Sequence, residues 1–306
     1  MRVVVFGASG VQGAAQVAAV ARAGHHPVAV SRSPKPLQID GQTVETAAAD
    51  FTDQAALDSA VRGADIVFLN LPSTSFQEAE PVIAAAKAVG EAVMRAPSVQ
   101  LVVFNTSMPV PPSSHGIEAQ EHRREIRDLL RARGIPLVSI QPVVFLDNLL
   151  EGWALPPILD TSTVVYCHAE TLDVSWICHD DLARLMVAAM ERGPGIVAGR
   201  DFAVGGPETV RLAQLTERLA RGWGRPLDHE SQSVDEFCDR ISEAMGARSG
   251  LDAAVVVDQM RRAYTWYNEA PERPFRVDMG PVLEELPAAL TTIEEWARRH
   301  PLPDRG

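Results

Sequence analysis

The residues with the clearest chemical meaning stand near the start of the chain, in Gly7-Ala8-Ser9-Gly10-Val11-Gln12-Gly13. An apolar, β-branched run precedes them (Arg2 to Phe6) and a small-residue helical pattern follows (Ala14 to Ala23). Strand, glycine loop and helix in that order form a cradle for a pyrophosphate. Gly7 permits the tight turn, Gly10 lets backbone amides approach the phosphates, and Gly13 lets the helix pack close on the strand. Ser9, Val11 and Gln12 complete the expected cradle. The helix start adds unpaired N–H groups and a partial positive charge. The alternative is a tight strand–helix turn that holds no ligand.

The end of the second strand selects between dinucleotides. An acid there hydrogen-bonds the ribose of NAD, whereas an arginine accommodates the 2′-phosphate of NADP. This chain has Ser31-Arg32-Ser33-Pro34-Lys35 and no acid before Asp40. A guanidinium grips a phosphate dianion in a fork. The expected cofactor is therefore NADP(H), with NAD(H) the poorer fit; Arg32 and Lys35 as solvated loop cations are the alternative. Asp50 and Phe51 follow the third strand, where an adenine edge would lie, and Asn70-Leu71-Pro72 end the fourth beside the ribose positions. Thr106, Pro142 and Val143, at the ends of the next two strands, complete the expected cofactor set. An Asp after a strand is also an ordinary turn residue.

The elements that position these residues follow from periodicity. Strands are expected at residues 2–6, 27–31, 44–48, 66–70, 101–104 and 137–140. Helices are expected over residues 14–23, 53–62, 76–95 and 118–133. Near-continuous apolar strands alternating with helices imply a parallel sheet buried on both faces. The fold class is α/β, a doubly wound parallel sheet of the Rossmann kind, with a smaller C-terminal lobe on the substrate side. Residues 1–150 form the expected NAD(P)-binding domain, and residues 151–306 the lobe, interleaved with the last sheet strands.

After Pro142 the rhythm breaks. A short helix is expected over 145–150, strands over 164–166, 171–177 and 202–204, and helices over 180–192, 211–221 and 293–299. Thr209 can cap the helix from about Arg211. Residues 228–270 are helical in pattern, and the acidic run Asp228 to Glu243 reads as a solvated face. Tyr264, Trp266, Tyr267 and Phe275 line the substrate side or serve as packing.

Composition narrows the function classes. The 306 residues are 46% apolar and 22% charged, with a net charge of −12 and three cysteines. An odd cysteine count without CxxC spacing argues against a disulfide framework or a zinc site, so no metal is expected. No basic run suggests nucleic acid, and no apolar stretch approaches the roughly 20 residues of a membrane helix. The N-terminus lacks the long apolar region of a secretory signal, so a cytoplasmic location is expected. The expected partner is a small-molecule substrate, and a homodimer is left open.

Taken together, these residues resemble the NmrA-like group of atypical short-chain dehydrogenases. The resemblance spans nearly the whole chain and rests on the glycine loop, Ala49-Asp50-Phe51 and the segment from Glu125 to Leu150 with its Gln141-Pro142 and Phe145-Leu146-Asp147-Asn148-Leu149. His179-Asp180-Asp181-Leu182-Ala183 and Gly206-Pro207-Glu208 add to it. Members include NADPH-dependent reductases and catalytically silent NADP(H)-sensing regulators. Reductive members of the wider superfamily use a Tyr-x-x-x-Lys pair on the helix after the fifth strand, the Lys lowering the Tyr pKa so that it protonates the developing alkoxide.

This chain departs from that pattern. In the same register Ala119 stands for the Tyr and Arg123 for the Lys, and none of the three tyrosines lies near that helix in sequence. Candidate replacements as proton donor are His115, in the loop before that helix, and His122. Ser107 could hydrogen-bond a substrate carbonyl. Each also reads as a solvated or uninvolved residue. The resemblance implies an NADPH-dependent reductase of a small to medium carbonyl, enone or quinone-like compound. The alternatives are a non-catalytic NADP(H) sensor acting through a protein partner, or an enzyme of net non-redox chemistry. A deep apolar cavity beside the nicotinamide would favour an enzyme, and a plugged site a sensor.

Overall fold

A computed structural model of the chain describes residues 1–75, 77–245 and 253–303. The expected helix start at Phe76, and the middle of the helical stretch expected over 228–270, lie outside them. Eight strands form the main sheet: β1 (Arg2–Phe6), β2 (His26–Ser31), β3 (Leu37–Ile39), β4 (Gln42–Ala48), β5 (Ile66–Asn70), β6 (Leu101–Asn105), β7 (Leu137–Pro142) and, after a smaller strand β8 (Thr163–Tyr166), β9 (Asp201–Val204). Their order is β3-β4-β2-β1-β5-β6-β7-β9. All pairings are parallel except β3 with β4.

The strands bury both faces because their side chains alternate. Val3 and Val5 point to one face with Val17 and Val20 of helix α1 (Val11–Arg22). Val4 and Phe6 point to the other, with Leu57 of α2 (Gln54–Val61), Val89 of α3 (Ala79–Arg95) and Ile126 of α4 (Glu118–Ala132). From β1 the chain winds outward to β2 and β4, then returns through β5 to β9 on the other side. At that reversal the chain after β1 turns to the face of α1 and the chain after β5 to the face of α3, which leaves a crevice at their carboxyl ends, the usual ligand position in an open α/β sheet.

The other half packs onto the face of α1. It holds α5 (Leu155–Asp160), α6 (His179–Arg192), α7 (Pro194–Val197), α8 (Leu212–Trp223), α9 (Val234–Met245), α10 (Ala253–Glu269), α11 (Met279–Glu285) and α12 (Ile293–Arg299). A second sheet pairs β8 in parallel with β10 (Asp228–Ser231).

Four expectations change here. β3 is an added edge strand, joined to β4 by Asp40 and Gly41 at φ of 49° and 81°, a hairpin turn that Asp-Gly favours. The expected strand over 171–177 is replaced by single bridges, Val174 to Val210 and Phe145 to Ile177. There the Ser175 N–H turns instead to Phe275 O (2.8 Å), so no continuous ladder forms. Thr209 does not cap α8: its hydroxyl pairs with Ser175 Oγ at 2.7 Å, and the helix begins at Leu212. Asp228–Ser231 is a strand, and α9 turns Phe237, Cys238 and Ile241 into the core, so the acidic run is not wholly a solvated helix face.

Candidate active site

The glycine loop sits at the crevice, and each glycine has its own reason. Gly7 adopts φ +72°, with a hypothetical Cβ 3.1 Å from Asn70 Cβ. Gly13 carries the close packing: a Cβ there would lie 2.2 Å from Gly7 O, a backbone atom that cannot yield. Gly10 has room, its nearest neighbour being Gly7 O at 3.4 Å, and it caps α1 without a side-chain hydrogen bond. Ser9, Gly10 and Val11 face solvent. The first turn of α1 is therefore open to an anion, and the loop fits a pyrophosphate.

Under the loop lies a floor of amides. Gln16 and Asn70 exchange hydrogen bonds, the Gln16 amide donating at 2.8 Å and the Asn70 amide at 2.7 Å. Asn70 also donates to Phe6 O (2.9 Å). Asn105 Nδ2 donates to Asn70 Oδ1 (2.9 Å) and Gln12 Oε1 (2.6 Å). Asn105 Oδ1 accepts the Ser107 N–H (2.9 Å), and Ser107 Oγ donates to Gln12 Oε1 at 3.1 Å. This network joins α1 to the ends of β1, β5 and β6, and it holds Ser107 in a left-handed conformation, φ +59°. Gln16 and Asn105 were not among the expected site residues. Gln12 and Gln16 one helical turn apart, with Asn ending both β5 and β6, are the pattern that marks them.

The other expected residues are spread more widely. Arg32 and Lys35 are exposed beyond β2. Asp50 accepts hydrogen bonds from the Thr52 hydroxyl and N–H, which hold its carboxyl below the usual range; the Arg32 charge adds to the effect. Phe51 packs against Phe6, ring centroids 6.0 Å apart. Thr106 is fully buried and its hydroxyl turns back to Met108 O (2.7 Å). Pro142 pairs with Val204 in the sheet, and Val143 donates its N–H to Val204 O.

Arg123 is fully buried and donates to the carbonyls of Leu71 and Pro72, both at 2.9 Å. Burial lowers its guanidinium to about 10. It fastens the loop after β5 and is not among the residues lining the cavity described next.

A cavity of about 320 Å³ opens beside the loop. Gln12, Ser107, Met108 and Ala119 line its near side. Val143 and Phe145 line it at the end of β7, and Met260, Tyr264, Tyr267 and Phe275 close it from the C-terminal half. Three of the four expected aromatics thus face it. The fourth, Trp266, packs on His115 instead, at 4.6 Å between rings. His115 is also beside Ser113 Oγ (3.2 Å) and Glu272 (3.6 Å). His122 Nδ1 meets Thr74 Oγ1 at 3.1 Å. Neither histidine lines the cavity. Behind the aromatic wall, burial holds the His168 imidazole down at about 3, among Tyr166, Trp176 and Phe275.

The sequence profile of the NmrA-like family matches residues 1–297. The chain is 33% identical over 288 residues to the (4-alkanoyl-5-oxo-2,5-dihydrofuran-3-yl)methyl phosphate reductase of Streptomyces griseus subsp. griseus, covering 90% of this chain and 95% of that one. Among solved structures it is similar to the NADPH-dependent quinone oxidoreductase QOR2 of Escherichia coli complexed with NADPH (17% identity, TM-score 0.72, 98% and 99% of the two chains). It is equally similar in fold to Nmra, a negative transcriptional regulator in complex with NAD (18% identity, TM-score 0.74, 97% and 94%).

Proposed function

The chain belongs to the NmrA-like family, and from that membership we propose that it is an NADPH-dependent reductase of a small to medium carbonyl, enone or quinone-like compound. The observation that carries the reading is the cavity: its wall contains both Gln12 of the glycine loop and an aromatic surface from the C-terminal half. A pocket that is mostly apolar with a few convergent polar groups is what a small substrate needs. A protein that only sensed its dinucleotide has no use for that space, which favours the enzyme over the sensor. The Streptomyces relative's named substrate carries a ring double bond flanked by an oxo and an alkanoyl group, the type of activated alkene proposed here.

In this reading Gly7, Ser9, Gly10, Val11, Gln12 and Gly13 hold the pyrophosphate at the start of α1. Arg32, with Lys35 near it, takes the 2′-phosphate. Asp50 and Phe51 border the adenine. Asn70 underlies the nicotinamide ribose through the amide floor, and Leu71 and Pro72 form the adjoining loop that Arg123 fastens. Thr106, Pro142 and Val143 shape the strand ends beside it. When bound, the reduced dinucleotide supplies a hydride. Ser107, whose hydroxyl hydrogen goes to Gln12 while the site is free, turns that hydrogen to the substrate oxygen when a substrate enters, and the aromatic wall excludes water. Residues 1–150 bind the cofactor; residues 151–306 build the substrate side and return β9 to the sheet.

The test is consumption of NADPH and of NADH with a broad panel of aldehydes, ketones, enones and quinones. Turnover with NADPH preferred is the expected result. No consumption of either cofactor with any compound would reject the reductase in favour of the sensor.

A further inference from the structure

The family's tyrosine position is Ala119, which leaves its stretch of the cavity wall without a phenol. A phenol enters from the opposite wall. Tyr267 of α10 lines the same cavity, and its hydroxyl accepts a hydrogen bond from Gln120 Nε2 at 3.2 Å, one residue on from Ala119. The ring is 8% exposed and stacks on Phe275, with 4.1 Å between centroids and 23° between planes. Helix α10 is pinned where this requires it. Gln259 Oε1 accepts the Glu118 N–H that begins α4 (3.0 Å), and Asn268 donates to Cys167 O (2.8 Å) and accepts from Ala169 N–H (2.9 Å).

We propose that Tyr267 is the proton donor of the reduction and that Gln120 is its positioning residue, together replacing the absent Tyr-x-x-x-Lys pair. The inference rests on the reductase reading above. As hydride arrives at the substrate carbon, the π pair of the carbonyl, or of the conjugated system, moves to oxygen. The Tyr267 O–H bond breaks and its proton goes to that oxygen. The phenolate left behind keeps the Gln120 N–H as its donor and regains a proton from water. Reductant, proton and electrons then balance without another reagent.

Four observations favour Tyr267 over the other groups. Gln120 donates to the phenol oxygen, so the phenol hydrogen is free to point elsewhere, and the same N–H strengthens its bond as negative charge develops. Tyr264 also lines the cavity, but its hydroxyl has Tyr166 and Cys167 as neighbours, on the core side. Ser107 already gives its hydrogen to Gln12, and His115 and His122 lie off the cavity. Burial pushes Tyr267 up to about 12, against the opposing effect of Gln120. It therefore stays protonated at neutral pH and suits a strongly basic alkoxide or enolate oxygen better than a weakly basic one.

The experiment uses the full chain. Tyr267→Phe keeps the ring and its stacking but removes the proton. Its single-turnover oxidation of NADPH is expected to fall by about 10²- to 10⁴-fold. Its melting temperature and its affinity for NADP⁺, read by tryptophan fluorescence, should be unchanged. A readout apart from turnover is the affinity of the NADP⁺ complex for an unreactive amide analogue of the substrate. That affinity should weaken roughly 2- to 10-fold in Tyr267→Phe, for one lost hydrogen bond. Gln120→Leu should lower kcat less than Tyr267→Phe while leaving KM and the melting temperature nearly unchanged, because the phenolate loses its donor but the substrate keeps its contacts; an equal loss in kcat and KM would assign Gln120 a merely structural role. If the unmutated protein turns over and Tyr267→Phe retains its rate within a small factor, Tyr267 is not the donor while the reductase reading stands. If the unmutated protein oxidises no NADPH at all, both readings fall.

Discussion

Replacing His168 with phenylalanine should make the protein less sensitive to mild acid. His168 is 1% exposed, ringed by Tyr166, Trp176 and Phe275, and its Nε2 has no hydrogen-bond partner among the described residues. In the unfolded chain its imidazole takes a proton near pH 6.5; in the fold, burial holds it neutral down to about 3. Between those values only the unfolded state gains the proton, so acid favours unfolding. The stability that His168 permits is fully present above 6.5 and is lost as pH falls toward 3. The slope is about 1.4 kcal/mol per pH unit, or about 2 kcal/mol at about pH 5. An unfolding entropy of about 2.1 cal/mol/K per residue gives roughly 0.6 kcal/mol/K for 306 residues, so the loss corresponds to about 3 °C.

Melting curves of the two proteins at about pH 7.5 and about pH 5 test this directly. Any packing cost of the larger ring, about 1–3 kcal/mol, is the same at both values and cancels. The expected result is a pH-induced drop in melting temperature smaller by about 3 °C in His168→Phe than in the unmutated protein. Equal drops in the two proteins would refute the neutral, buried imidazole.

Four further predictions separate the parts of the site. Gly13→Ala sets a methyl 2.2 Å from Gly7 O, so despite the helix preference for alanine it should cost about 1–3 kcal/mol in a denaturant titration. Gly10→Val has room in the fold and should melt normally, yet lose dinucleotide binding by calorimetry; retained binding would place the phosphates elsewhere. Arg32→Ala should remove most of the preference for NADPH over NADH, by roughly 1.5–3 kcal/mol in calorimetric affinities. Equal affinities in the unmutated protein would sink that role. His115→Ala should lower turnover far less than the factor of about 10² typical of a positioned acid, because the ring is engaged with Trp266 and Glu272 off the cavity.

What could be read from the sequence was what short segments decide for themselves. Val3-Val4-Val5-Phe6 declares a strand buried on both faces, and Gly7, Gly10 and Gly13 declare the turn that follows it. The Asp40-Gly41 hairpin was equally local, but its strand of three residues is too short to stand out. The substrate side is another matter. Tyr267 and Gln120 are far apart in the chain and meet only because α10 docks on α4. The loop before α4 brings His115 near the site in sequence, yet Trp266 and Glu272, remote in sequence, decide where it rests. Thr171 to Ile177 has strand-like residues, but its backbone finds partners on separate segments. Such outcomes belong to docking between halves, which no periodicity encodes.

The pairing of β9 with β7 has a consequence for synthesis on the ribosome. Strand β7 is buried throughout and ends at Pro142, whereas the strand that covers its outer edge begins at Asp201. At about 5–20 residues per second, the roughly sixty residues between them take about 3–12 s to emerge. During that interval the nascent sheet offers an apolar, unpaired edge of the kind that recruits other strands. A chain that stalls between those two points is therefore the species of this protein most exposed to aggregation and most in need of a chaperone.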